Sequence, residues 1–136
     1  MTWVRYAEAD PQGLAALVGG LIQANLERDP PRAALLRPGV VVIEAHDATT
    51  VVTLSFGEGD VEIRSGSSSG TDVRVRATGE ELLALVNTPL RLGFPDPLRA
   101  EGRAMLLAIA TRRVHVRGLA RSPALVRRLT MLLSVR

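Results

Sequence analysis

Two stretches of this chain spell one alternation, "DVRVRA" from Asp72 to Ala77 and "RRVHVRG" from Arg112 to Gly118. Successive side chains of a strand project to opposite faces. Val73, Val75, Val114 and Val116 therefore share a dry face, and Arg74, Arg76, Arg113, His115 and Arg117 a wet one. Such strands make a sheet with one face that must be covered and one that can stay in water. Helices stacked on a single side complete a core of that kind.

The rest of the chain supplies both parts. Strands are predicted over Val40–Ala45, Val51–Phe56, Val61–Arg64 and Val73–Ala77, bounded by the turn segments "HDATT", "GEGD" and "SGSSSGT", with "RRVHVRG" as the fifth. Four helices are predicted around them. The first starts at Asp10-Pro11 and carries Leu14, Leu17, Val18, Leu21, Ile22 and Leu26 on one stripe; Gly19-Gly20 in its middle implies a close contact or local looseness. The second, "TGEELLALV", opens with the capping box Thr78 and Glu81. Asp96-Pro97 starts a third, with Leu98, Met105, Leu106 and Ile109 along one side, and Ser122-Pro123 a fourth, with Leu125, Leu129, Leu132 and Leu133 facing one way. The expected fold is α+β in one domain over residues 1–136: a five-stranded, mostly antiparallel sheet with helices on one face.

Composition narrows what such a domain does. At 136 residues the chain can bury roughly 70% of the surface it exposes when unfolded. Its 46% hydrophobic and 23% charged residues, with no apolar run near the ~20 residues of a membrane span, describe a soluble protein. The start "MTWVRYAEAD" does not read as a signal peptide and there is no cysteine, so a cytoplasmic location is expected. All seventeen basic residues are arginine, but the net charge is only +3 and aromatic residues are 3% of the chain. Without a cationic stripe interleaved with stacking rings, nucleic acid is not an expected partner.

Catalytic chemistry finds no foothold either. There is no "GxSxG" elbow, and His46 and His115 are the only histidines. Neither has the spacing of a metal ligand set, so no metal and no cofactor are expected. "GEGD" and "SGSSSG" lack the Lys-Ser/Thr of a phosphate loop and read as turns. What remains is an excess of aliphatic helix faces, together with the link "PLRLGFPDPL", whose Leu90, Leu92, Phe94 and Leu98 would suit a lip over an apolar opening. A packed interior and a hollow one are written in the same letters.

The order of the segments resembles the sterol carrier protein 2 (SCP-2) family, the non-specific lipid-transfer domain. The resemblance runs from Leu14 to Val135, through "VGGLIQANLERDP", "TVVTLSFGEGDVEI", "DVRVRATGEELLALVNT" and "RRVHVRG" before the last amphipathic helix. It implies helices on one side of a five-stranded sheet, a hydrophobic tunnel between them for fatty acids, acyl-CoA esters, phospholipids or sterols, and no catalytic residues. Carried over by position, the lining draws on Leu83 and Val86, on Val114 and Val116, and on Leu125, Leu129 and Leu132. The link from Leu90 to Met105 departs from the family by being longer and more helical. It brings Phe94, Met105, Leu106 and Ile109 to the tunnel, as its border or as its filling. Leu119 stands where the family often has an acid, and "LLSVR" lacks its peroxisomal tripeptide.

The expected function is therefore a non-catalytic carrier of a lipid or fatty-acyl molecule. Arg91 and Arg99 stand where they could attract an anionic head, and transient contact with a membrane surface would serve loading. The rival keeps the fold, fills the cavity, and makes the domain an accessory scaffold that docks a partner protein or pairs as a homodimer.

Overall fold

The computed structural model describes residues 2–11, 13–68, 70–88, 90–91, 93–111 and 113–135, with Arg91 described in its backbone only. Leu92, the side chain of Arg91, and Arg112 lie outside the described residues.

The central hairpin pairs β2 (Gly39–Ala45) with β3 (Thr50–Phe56) over seven register positions, from Gly39 opposite Phe56 to Ala45 opposite Thr50. β4 (Val61–Ser65) adds antiparallel to β3 after a turn closed by Gly57 N donating to Asp60 O. On the other side β5 (Val73–Ala77) runs parallel to β2, and β8 (His115–Arg117) runs antiparallel to β5. A short strand, β1 (Val4–Tyr6), lies parallel to β4, so the order is β1-β4-β3-β2-β5-β8. The sheet thus has six strands, one more than the alternation predicts. "WVRY" is too short to show a period of two, and β1 is held by tertiary pairing.

Helices α1 (Gly13–Arg28), α2 (Gly79–Val86), α3 (Ala100–Ala110) and α4 (Pro123–Leu133) complete the fold. A 3₁₀ turn (Pro30–Leu35) follows α1, and a two-stranded ribbon of β6 (Leu90–Arg91) and β7 (Phe94–Pro95) precedes α3. α1 begins at Gly13 instead of at Asp10-Pro11. α3 begins at Ala100, because Asp96 spends its Oδ1 on Leu98 N, 2.9 Å away, in a turn ahead of the helix. Leu98 is consequently exposed, and the buried positions of α3 are Gly102, Met105 and Ala108. Among the described residues no helix is long and apolar enough to cross a membrane.

The dry face behaves as the alternation demands. Val41, Ile43, Val52, Leu54, Ile63, Val73 and Val75 are buried with Ile22 and Leu26 of α1 and Leu129 and Leu132 of α4 in one core. Each such side chain contributes about 1.5–3 kcal/mol when fully removed from water. Gly19 explains its place in α1: a Cβ there would collide with the ring of Tyr6, so β1 docks on the helix only across a bare backbone, whereas Gly20 faces open space. Gly118, at φ +89°, lets the end of β8 pass the carbonyl of Asp72, which any Cβ would strike.

The wet face is partly roofed. Val42 and Thr53 project to it yet are fully buried, and the segment after β4 meets Thr53 there. Gly66 N donates to Val51 O, and Thr53 Oγ1 donates to Gly66 O at 2.6 Å. Beside this roof Arg74 faces Arg117 and Arg76 faces His115 across the β5-β8 pair. The like charges of Arg74 and Arg117 so placed repel. Glu44 on β2 answers them, accepting from Arg74 at 2.9 Å and from Arg76 at 3.3 Å.

Candidate functional site

Sheet and helices do not close on one another. A cavity of about 400 Å³ lies between the β2-β5 part of the sheet and helices α1, α2 and α4. α1 lines it with Leu14, Leu17, Val18 and Leu21, α2 with Gly79, Leu82, Leu83, Leu85 and Val86, and α4 with Leu129 and Leu133. Ile43 and Val75 form the sheet side, and Asn87 and Val135 complete the lining. A smaller cavity of about 130 Å³ continues toward α3 and β8, lined among others by Phe94, Leu106, Ile109, Val114, Val116 and Val126. Val75, Leu85, Leu129 and Leu133 border both, so four aliphatic side chains form the partition.

α4 is the fixed wall. It buries Leu125, Val126, Leu129, Thr130, Leu132 and Leu133. Its last carbonyls, which no later helical turn can satisfy, find donors on other elements. Buried Asn25 of α1 gives Nδ2 to Leu132 O at 2.8 Å, and Arg32 of the 3₁₀ turn gives Nη1 to Ser134 O at 2.8 Å and to Met131 O at 3.2 Å.

α2 is held differently. Its N-terminus carries the predicted capping box: Glu81 N donates to Thr78 Oγ1 at 3.1 Å, and Thr78 N to Glu81 Oε1 at 3.4 Å. Asp47 Oδ1 accepts from Gly79 N at 2.9 Å, and at the other end Val135 N donates to Val86 O at 3.0 Å. Yet no residue of α2 is buried. Leu83 is 53% exposed, and Leu17 of α1 is 55% exposed, so two large aliphatic side chains that line the cavity also stand in solvent and mark its rim.

The residues predicted from sequence fall into four groups. Leu83 and Val86 line the large cavity; Leu129 lines both; Phe94, Leu106, Ile109, Val114 and Val116 line the small one. Met105, Leu125 and Leu132 line neither. Met105 borders an open groove between α2 and α3, shared with Glu80, Glu81, Glu101 and Arg113. Leu125 presses its methyls on Gly39, where a Cβ would meet them at 2.9 Å, and Leu132 is sealed in the core. The contribution of α1 lies outside the predicted lining. Its signal is present in the sequence: the stripe is too wide for the sheet alone, so Ala15, Ile22 and Leu26 are buried while Leu14, Leu17 and Leu21 turn to the cavity.

Among the described residues no charged side chain lines either cavity; Asn87 and Thr130 are the polar side chains, donating to Leu83 O and to Val126 O. Arg99 is exposed ahead of α3 and lines neither cavity. Glu44, on the opposite face of the sheet, is held below its ordinary carboxylate value chiefly by the hydrogen bond from Arg74. Among the described residues no group of three His, Asp or Glu side chains is placed to hold a metal ion.

No family model matches the sequence, and no curated protein does. Solved structures do match. One titled "UbiJ-SCP2 Ubiquinone synthesis protein" superposes with a TM-score of 0.61 at 20% identity, covering 88% of this chain and 92% of that one. The solution structure of a conserved hypothetical protein from Thermus thermophilus, described as a possible sterol carrier protein, gives 0.46 at 11% identity over 96% and 92%. The fold is SCP2-like.

Proposed function

Starting from an SCP2-like fold that leaves an aliphatic-lined cavity under a half-exposed helix, we propose that this chain is a non-catalytic carrier that binds the aliphatic part of a lipid between sheet and helices. The observation that carries the reading is the lining itself: about 400 Å³ bounded by aliphatic side chains, within the ~300–1,000 Å³ range of small-molecule sites. The two cavities, divided only by Val75, Leu85, Leu129 and Leu133, would join into one tunnel when those side chains change rotamer. Burial of an acyl chain of about sixteen carbons yields roughly 13 kcal/mol at ~0.8 kcal/mol per methylene. Association costs of ~4–15 kcal/mol remove most of that, which points to micromolar binding. Leu17 and Leu83, exposed at the rim, would touch a membrane surface while a lipid passes, and the cytoplasm is the compartment this reading assigns.

A precedent supports the reading without extending it: a protein of this fold bears a title in ubiquinone synthesis. The scaffold reading draws on a separate observation, Leu98 at 68% and Leu107 at 59% exposed, before and on α3 and lining neither cavity. One experiment separates the two. Native mass spectrometry of freshly purified protein, followed by displacement of Nile red, shows co-purified lipid and saturable binding for a carrier. A dimer or partner complex that leaves the dye unbound defeats the carrier and favours the scaffold.

A further inference from the structure

We propose, resting on the carrier reading for its purpose, that the small cavity has a mouth of its own between α3 and the turn after β8, and that this mouth docks on a bilayer rich in anionic phospholipid. The charge of the chain is divided. All fourteen Asp and Glu residues lie at or before Glu101, whereas the segment from Gly102 to Arg136 holds eight arginines and no acid. It runs through most of α3 and all of β8 and α4, which supply most of the small-cavity lining. Among the described residues every ion pair uses an arginine from the earlier part, Arg5, Arg32, Arg74 or Arg76. A block of one sign left to solvent raises a local field that draws an anionic surface.

The geometry brings apolar and cationic groups together at this end. Leu106 and Leu119 both line the small cavity and both are exposed, so the cavity reaches the surface between them, away from the rim at Leu17 and Leu83. Arg103, Leu106 and Leu107 stand at i, i+3 and i+4 on the outer arc of α3, and Arg103 Nη1 donates to Pro97 O at 3.3 Å, next to exposed Leu98. Of the acids before this arc, Asp96 gives its Oδ1 to Leu98 N and Glu101 borders the groove toward α2. Exposed Arg121 follows Leu119 by two residues, and the stem of Arg127 on α4 lies over Gly93, beside Phe94 of the lining. Leucines set among arginines suit a bilayer surface, where the cations meet phosphates and the leucines enter the acyl boundary. Nucleic acid offers little to leucine, and the acid-free segment has no Phe, Tyr or Trp to stack on its bases.

The test is co-sedimentation of the full chain with vesicles of phosphatidylcholine alone and of phosphatidylcholine mixed with phosphatidylglycerol. Binding to the mixed vesicles is expected to be about tenfold tighter or more, and to weaken in high salt. Arg103→Gln combined with Arg121→Gln should weaken it about tenfold, and Leu107→Ser severalfold. Leu107 lines neither cavity, so Leu107→Ser should leave Nile red binding in vesicle-free solution unchanged. Equal binding to both kinds of vesicle, no binding to either, or mixed-vesicle binding that both variants leave intact overturns the proposal, and duplex DNA or a second copy of the chain taking this face in place of the vesicles does the same. Failure to bind Nile red in solution, with the vesicle pattern as expected, overturns the carrier reading alone: the docking face stands and loses its cargo.

Discussion

α4 and α2 face each other across the same cavity and are stabilised in opposite ways. α4 buries six residues and has its carbonyl end met by Asn25 and Arg32, so it moves only if the core moves. α2 buries none and is fastened by hydrogen bonds at its two ends, to Thr78 and Asp47 at one and Val135 at the other. Packing resists displacement over the whole length of an element, while terminal hydrogen bonds resist it only where they are made. A cavity with one wall of each kind keeps its shape on the α4 side and yields on the α2 side. That suits a site that must admit a long, flexible guest without unfolding.

Truncating one leucine from each wall gives the widest contrast. Leu129→Ala removes a buried side chain at the partition and should cost about 2–5 kcal/mol in urea unfolding. Leu83→Ala, more than half exposed, should cost under about 1 kcal/mol yet weaken Nile red binding severalfold. Equal stability losses would erase the distinction between the walls. Next in size is Asn25→Ala, which leaves the Leu132 carbonyl buried without its donor. A loss of about 1–3 kcal/mol is expected, with faster amide exchange at the last turn of α4. Thr78→Ala should cost about 1 kcal/mol and raise exchange across α2 while α4 keeps its protection. Exchange rising equally in both helices would mean that α2 is coupled to the core more tightly than its burial suggests.

These walls are unequally legible in the sequence. The capping box of α2 is local chemistry between Thr78 and Glu81, three residues apart, and is readable without any tertiary information. The dry side of the sheet is readable from the alternation at Val73, Val75, Val114 and Val116. The clamp on α4 is not, because Asn25 and Leu132 are 107 residues apart and nothing in "QANLER" marks an amide destined for a distant carbonyl. Nor can periodicity say which leucines face a void. Leu125 and Leu129 lie one turn apart on the same stripe, and only the position of Gly39 beneath Leu125 makes one a core contact and the other a cavity wall. The sixth strand is hidden for a related reason: Val4–Tyr6 is a strand by virtue of its partner β4 and the bare backbone of Gly19.

The smallest expected effect lies outside both walls and tests whether the contrast belongs to the cavity at all. Glu44 sits on the opposite face of the sheet between Arg74 and Arg76, and these partners lower its pKa from the ordinary 4.5. A carboxyl whose folded pKa is depressed stabilises the fold once pH exceeds the unfolded value, and the contribution disappears as pH falls through the folded one. Glu44→Gln should therefore cost at most about 1 kcal/mol at neutral pH, since both arginines are partly solvated. The difference from wild type should shrink as pH drops below 4.5 and vanish in stronger acid. Nile red affinity and the exchange rates of α2 and α4 should be unchanged at neutral pH. If α2 loosens in this variant while α4 does not, the β2-β5 pairing transmits strain to Gly79 through Asp47, and the yielding wall would be set by the sheet as well as by its own caps.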